Sequence, residues 1–119
     1  MNASFGPNAL SIRRPSCVAD AFFFDEAFTS IMIGLKDPRT GNINYALADV
    51  ENNSYYARIR FDLLPPTQPA DGDLGQLNAE PNQVYTLYIY SVDYFDPTLA
   101  AQSQPIMTYN LHFPRHGYV

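Results

Sequence analysis

Tyr55-Tyr56-Ala57-Arg58-Ile59-Arg60-Phe61-Asp62-Leu63 is the stretch on which the fold turns. Apolar side chains occupy every second position, and Arg58, Arg60 and Asp62 fill the alternate ones. An extended strand points successive side chains to opposite faces of a sheet, so this rhythm buries one face and wets the other. A helix would scatter the same residues around its circumference. The stretch predicts a half-buried β-strand over residues 55–64.

Neighbouring segments extend the pattern. Residues 28–35 place Thr29, Ile31, Ile33 and Leu35 on one side, and residues 42–50 return as the next strand. Between them Lys36-Asp37-Pro38-Arg39-Thr40-Gly41 is the clearest turn in the chain: proline presets φ, aspartate bonds the backbone ahead, and glycine accepts a positive φ. Taking the loop as residues 36–40 sets Ile33 opposite Ile43 and Ile31 opposite Tyr45. A second loop at 50–54 sets Tyr45 opposite Ile59 and Ile43 opposite Phe61, giving one apolar face.

Residues 17–24 (Cys-Val-Ala-Asp-Ala-Phe-Phe-Phe) suit a strand buried on both faces. Residues 84–95 read as one long strand, with Tyr85, Leu87 and Ile89 on one face and Thr86, Tyr88, Tyr90 and Val92 on the other. Both faces are semi-apolar, which predicts a strand between two layers or against another chain. Residues 98–104 are a loop or one helical turn. Residues 106–113 alternate, with Met107, Tyr109, Leu111 and Phe113 inward.

The expected architecture is all-β: an antiparallel β-sandwich or small barrel, jelly-roll-like or meander, of about six to seven strands. Residues 1–16 lack either period and read as an extended arm, with a short edge strand at 9–12. Residues 17–119 form a single β-domain with a long Pro/Gly loop at 65–83, where any protruding contact is expected. At 119 residues such a domain buries roughly 65% of its unfolded surface and stands without staples.

Composition narrows function by exclusion. The net charge of −5 repels polyanions, so nucleic acid is not an expected partner. Apolar runs fall well short of the about 18 residues of a membrane helix, and no basic, apolar leader follows Met1, so neither membrane nor export is expected. Asp71-Gly72-Asp73-Leu74-Gly75 starts like a calcium loop. It carries Gly75, Gln76 and Asn82 where such a loop needs a ligand, a glycine and a glutamate, so no metal is expected there. His112 and His116 flank Pro114 and share no helical face, and Cys17 sits in an apolar context. Neither a serine-nucleophile motif nor a phosphate-cradling glycine loop is present, so neither an enzyme nor a cofactor site is expected.

What stands out is a surface poor in charge. Charged residues make up 16% of the chain and Lys36 is the sole lysine, whereas tyrosine (9) and phenylalanine (8) are abundant. Arginine and tyrosine favour contact surfaces and lysine is depleted there, although an ordinary β-domain also favours aromatics. The interface candidates are Phe5, Leu10, Arg13 and Arg14 in the arm, Arg58 and Arg60 on the wet face of the central strand, and Tyr88 and Tyr90. In character the composition resembles small virion components such as capsid-decorating, spike or tail proteins of phages. The expectation is a structural protein, in a virion or otherwise in the cytoplasm, whose partners are other protein subunits, itself included as a homo-oligomer. A small β-sandwich binding module for a glycan or peptide is the alternative.

Overall fold

The computed structural model describes residues 11–13 and 18–23 as backbone, and residues 28–52 and 57–113 in full. Strands β1 (Ser11–Arg13), β2 (Val18–Phe23), β3 (Ser30–Lys36), β4 (Ile43–Asn52), β5 (Ala57–Leu64), β6 (Gln76–Asn78), β7 (Gln83–Ile89) and β8 (Met107–Phe113) build one sheet. A 3-10 turn at Gly72–Leu74 and helix α1 (Pro97–Gln102) are the remaining regular elements. The class is all-β, as the alternation predicts. The strands run in the order β1-β2-β5-β4-β3-β7-β8, with β6 beside β5. All pairings are antiparallel except that of β5 with β6. The meander β3-β4-β5 with β2 returning beside β5 is a Greek-key order. An edge strand in the arm lies at Ser11–Arg13 (β1), overlapping the expected 9–12 at residues 11 and 12, while residues 9 and 10 lie outside the described residues.

The core lies on one face of this curled sheet. Ala57, Ile59, Phe61 and Leu63 of β5 are buried, while Arg58, Arg60 and Asp62 are half-buried on the opposite face. Ile31, Ile33 and Leu35, then Tyr85, Leu87 and Ile89, then Leu111 and Phe113, complete the same apolar layer. Each fully buried aliphatic or phenyl side chain contributes about 1.5–3 kcal/mol relative to exposure. This single layer therefore supplies most of the driving force for folding.

The register of β4 differs from the expected one. Ile33 pairs with Ala46 rather than Ile43, Ile31 with Ala48 rather than Tyr45, and Ile59 with Val50 rather than Tyr45. The last β3–β4 pair is Lys36 with Ile43, so the connection is residues 37–42, one longer than expected. Asp37 explains the length. Its N–H donates to the Asn42 carbonyl (2.9 Å), its carbonyl accepts from Gly41 N–H (2.8 Å), and its Oδ1 accepts from Arg39 N–H (2.8 Å). Gly41 closes the turn at φ 76°. The displacement is an odd number of residues, so β4 turns over. Its small Ala46 and Ala48 face the bulky core, and Ile43, Tyr45 and Leu47 point outward.

That outward face is covered in turn. Strand β7 stops at Ile89, short of the expected 84–95: Met32 still accepts from Tyr90 N–H (3.0 Å), as the next pair of the ladder would, but its own N–H donates past Tyr90 to the Val92 carbonyl (2.8 Å). The chain then leaves the sheet and crosses β3. Met32, Tyr90, Val92 and Ala100 form a second buried cluster with Tyr45, Leu47 and Tyr88 against it. Of the expected 84–95 strand only the part to Ile89 is in the sheet, and its continuation covers Met32 and Tyr88 on the outer face, while Val84 stays exposed. Gly34 makes room for that continuation, since a Cβ there would meet Ile43, Tyr45 and Tyr90 side-chain carbons at 2.9–3.3 Å.

The 65–83 segment is folded rather than a plain loop. β4 pairs with β5 only from Asp49 to Asn52. The gap that opens towards Ile43 is wedged by the 3-10 turn and β6, which takes β5's free edge at Asp62–Leu64. Asp62 N–H donates to the Gly75 carbonyl (2.8 Å). The Asn78 side chain donates to the Pro65 and Gln68 carbonyls (2.9 and 2.7 Å) and ties the segment's start to its end.

Candidate interaction surface

The wedge carries side chains that the core does not use. Leu74, at the end of the 3-10 turn, is 70% exposed; Tyr94, Phe95 and Leu99, on the segment leaving β7, are 53%, 38% and 37% exposed. The two groups meet through Phe95, whose ring packs on Gly72, where a Cβ would come within 3.1 Å of it. The local chemistry explains why these residues face outward. Asp96 caps α1 by accepting from Leu99 N–H (3.0 Å), and Pro97 follows at the first helical position. Asp71 caps the 3-10 turn by accepting from Asp73 N–H (3.0 Å), and Gly75 ends it at φ 74°. The aromatic pair Tyr94-Phe95 is thus held between the Met32–Val92 hydrogen bond and the Asp96 cap, away from any strand register.

Carboxylates outnumber cations around this apolar strip. Residues 61–119 hold six acids (Asp62, Asp71, Asp73, Glu80, Asp93 and Asp96) against Arg115 alone, a net of −5 that equals that of the whole chain. Glu80 is paired with Arg39, which also bridges Asp37 (3.1 Å) and holds the Asp37 carboxyl below its usual range. Asp71, Asp73 and Asp93 lie exposed beside Leu74 and Phe95. On its other side Leu74 lines an open cleft of about 150 Å³ with Asp49, Glu51, Arg60, Phe61, Asp62 and Gly75. Arg60 Nη1 reaches Glu51 Oε1 at 3.3 Å. Burial pushes the Asp62 carboxyl up; Arg60 opposes this and Asp49 adds to it.

The candidates read from sequence fare unevenly. Phe5, Leu10 and Arg14 lie outside the described residues, and Arg13 is placed as backbone at the sheet's edge in β1. Arg58 and Arg60 are half-buried on the outer face of β5, each engaged with a neighbour. Tyr88 is half-buried. Tyr90 is a correction: at 4% exposed it belongs to the second cluster, with ring centroids 6.0 Å from Tyr45 and 6.3 Å from Tyr88. Burial, with Tyr45 and Tyr88 beside it, drives its hydroxyl well above the ordinary tyrosine range. Leu74, Tyr94, Phe95 and Leu99 escaped the sequence reading. Its extended strand over 84–95 absorbed Tyr94 and Phe95; the only signal against that was the Asp93…Asp96-Pro97 bracket.

Among the described residues no three His, Cys, Asp or Glu side chains gather as a metal site, and no helix is long and apolar enough to cross a membrane. His112 is exposed on β8, and Cys17 and His116 lie outside the described residues. The described residues define an all-β domain with a buried apolar core and an acid-flanked apolar strip. In comparisons with known proteins no family model matches this chain, and neither a curated protein nor a solved structure does.

Proposed function

We propose that the protein is a structural subunit that works by packing against other protein subunits in a multi-subunit particle, copies of itself among them. The observation carrying this reading is the Leu74–Tyr94–Phe95–Leu99 strip. Among the described residues these four large apolar side chains lie outside both buried clusters, and a large exposed apolar patch on a domain surface marks a contact surface. The scarcity of lysine, which is costly to order at interfaces, supports the same reading. A virion component (capsid decoration, spike or tail) is the specific form the composition favours.

The test is the solution mass of the full chain by size-exclusion chromatography with light scattering. A species heavier than the 13.4 kDa chain, growing with concentration, is expected. A 13.4 kDa monomer across the whole range overturns self-association.

A further inference from the structure

The strip has an acidic rim, and the same chain carries a segment of the opposite character. Residues 1–16 contain Arg13 and Arg14, no acid, and the apolar Phe5, Leu10 and Ile12. We propose that the surface around Leu74 and Phe95 receives residues 1–10 of a second copy, with Phe5 and Leu10 covering its apolar side chains, while Arg13 in that copy's β1, and Arg14 next to it in sequence, meet its carboxylates. This rests on the assembly reading and names the partner for the same surface.

Three observations bear on the pairing. First, complementarity is chemical at both ends: an apolar centre with acids on one side, an apolar segment with arginines on the other. Arginine's planar fork grips carboxylates in paired hydrogen bonds and sheds water more readily than lysine, as a contact of this kind requires. Second, the carboxylates at the strip outnumber its cations. Asp71, Asp73 and Asp93 are exposed around Phe95 and Leu74, while the cleft's Arg60 is committed to Glu51. An acidic chain approaching its own copy is repelled on average, and a basic segment meeting an acidic patch turns that repulsion into attraction. Third, reach suffices. The ten residues before Ser11 span roughly 33 Å when extended, about the molecule's long axis of 34 Å. From the β1 edge they can cross to a neighbouring subunit. The contact is heterologous, joining two different surfaces, and it builds rings or longer assemblies rather than only a face-to-face pair.

Charge reversal tests this on the full chain, with mass by light scattering as the readout. Asp73→Lys/Asp93→Lys alters the patch at two exposed positions, and Arg13→Glu/Arg14→Glu alters the arm. Each is expected to reduce the protein to monomer, and combining all four substitutions in one chain is expected to restore association. Leu74→Ser, at a side chain that supports no core contact, should weaken association about tenfold, as a central apolar anchor does. If the patch reversals associate like the natural chain, this inference fails and the assembly reading survives. If both reversals are monomeric and the combination stays so, arm and patch do not meet, and the inference fails likewise. A natural chain that is monomeric throughout removes the assembly reading and this inference together.

Discussion

Gly72 lies directly under the carbonyl oxygen of Tyr45, so close that a Cβ on the glycine would collide with it. Here the wedge that fills the β4–β5 gap touches β4, and Phe95 closes the other side of the same glycine. The obstruction is backbone, which cannot rotate away as a side-chain tip can. Gly72→Ala should therefore cost about 1–3 kcal/mol, the usual range for overpacking. Gly41→Ala, with open space around it but φ 76°, should cost about 1–2 kcal/mol through backbone conformation alone. Urea denaturation measures both. Their difference shows in the exposure of the 71–75 turn, which only Gly72→Ala should increase in hydrogen exchange.

The register of β4 can be tested directly. Ala46 is fully buried and pairs with Ile33, so Ala46→Leu must push a larger side chain into a filled layer and lose about 1–3 kcal/mol. Under the register expected from sequence, Ala46 would face outward and the same substitution would be nearly neutral. The error has a physical origin. β5 shows one apolar face and one charged face, so its orientation was legible from the sequence. β4 has apolar residues on both faces, and only the loop length decides between them. That length depends on three hydrogen bonds around Asp37 that no periodicity records.

The same reasoning separates what could be foreseen of the surface. Tyr85, Leu87 and Ile89 alternate with Thr86 and Tyr88, and their burial follows from period two. Tyr90 keeps the period but not the strand, because Met32 N–H bonds the Val92 carbonyl two residues further on and the chain turns into a covering layer. Long-range capture of this kind leaves no mark within the segment captured. It converts Tyr90 from a surface candidate into core and carries Tyr94 and Phe95 out to the surface.

Asn78 bridges two carbonyls from positions ten and thirteen residues earlier. Asn78→Ala removes both bonds, while the Pro65 carbonyl keeps the Gln68 N–H (2.9 Å), at a cost of about 0.5–1.5 kcal/mol. The effect should be local. Residues 65–76 should become the first site of limited proteolysis while the core strands keep their exchange protection. Unchanged cleavage in this segment would show that β6 pairing alone holds it.

Asp62 is expected to cost stability at neutral pH. Its folded pKa is raised chiefly by burial, so the stability linked to its proton is fully present below the unfolded value of about 3.9 and is lost as pH rises through the folded value. Asp62→Asn removes that loss. It should raise the urea midpoint at about pH 7, and the gain should vanish below about pH 4. A lower midpoint at neutral pH would mean that attraction to Arg60 outweighs burial.

Alkaline pH probes the second cluster. Tyr90, Tyr85 and Tyr109 all have hydroxyls raised above the ordinary value, each chiefly by burial, with Tyr45 and Tyr88 adding to the shift at Tyr90. In the unfolded chain these groups lose their protons near pH 10, whereas in the native fold they keep them. The folded state thus binds more protons above about pH 10, and stability must fall as pH rises there. Tyr90 has the largest share because Tyr45 and Tyr88 crowd a hydroxyl already cut off from water. Tyr90→Phe retains the ring contacts with both and deletes the titration. Its urea midpoint should fall less steeply than that of the natural chain between about pH 9 and pH 12, with Tyr85 and Tyr109 supplying the slope that remains. Parallel curves for the two proteins would place the Tyr90 hydroxyl in contact with water, and would undo the assignment of residues 90–100 as a sealed layer over β3.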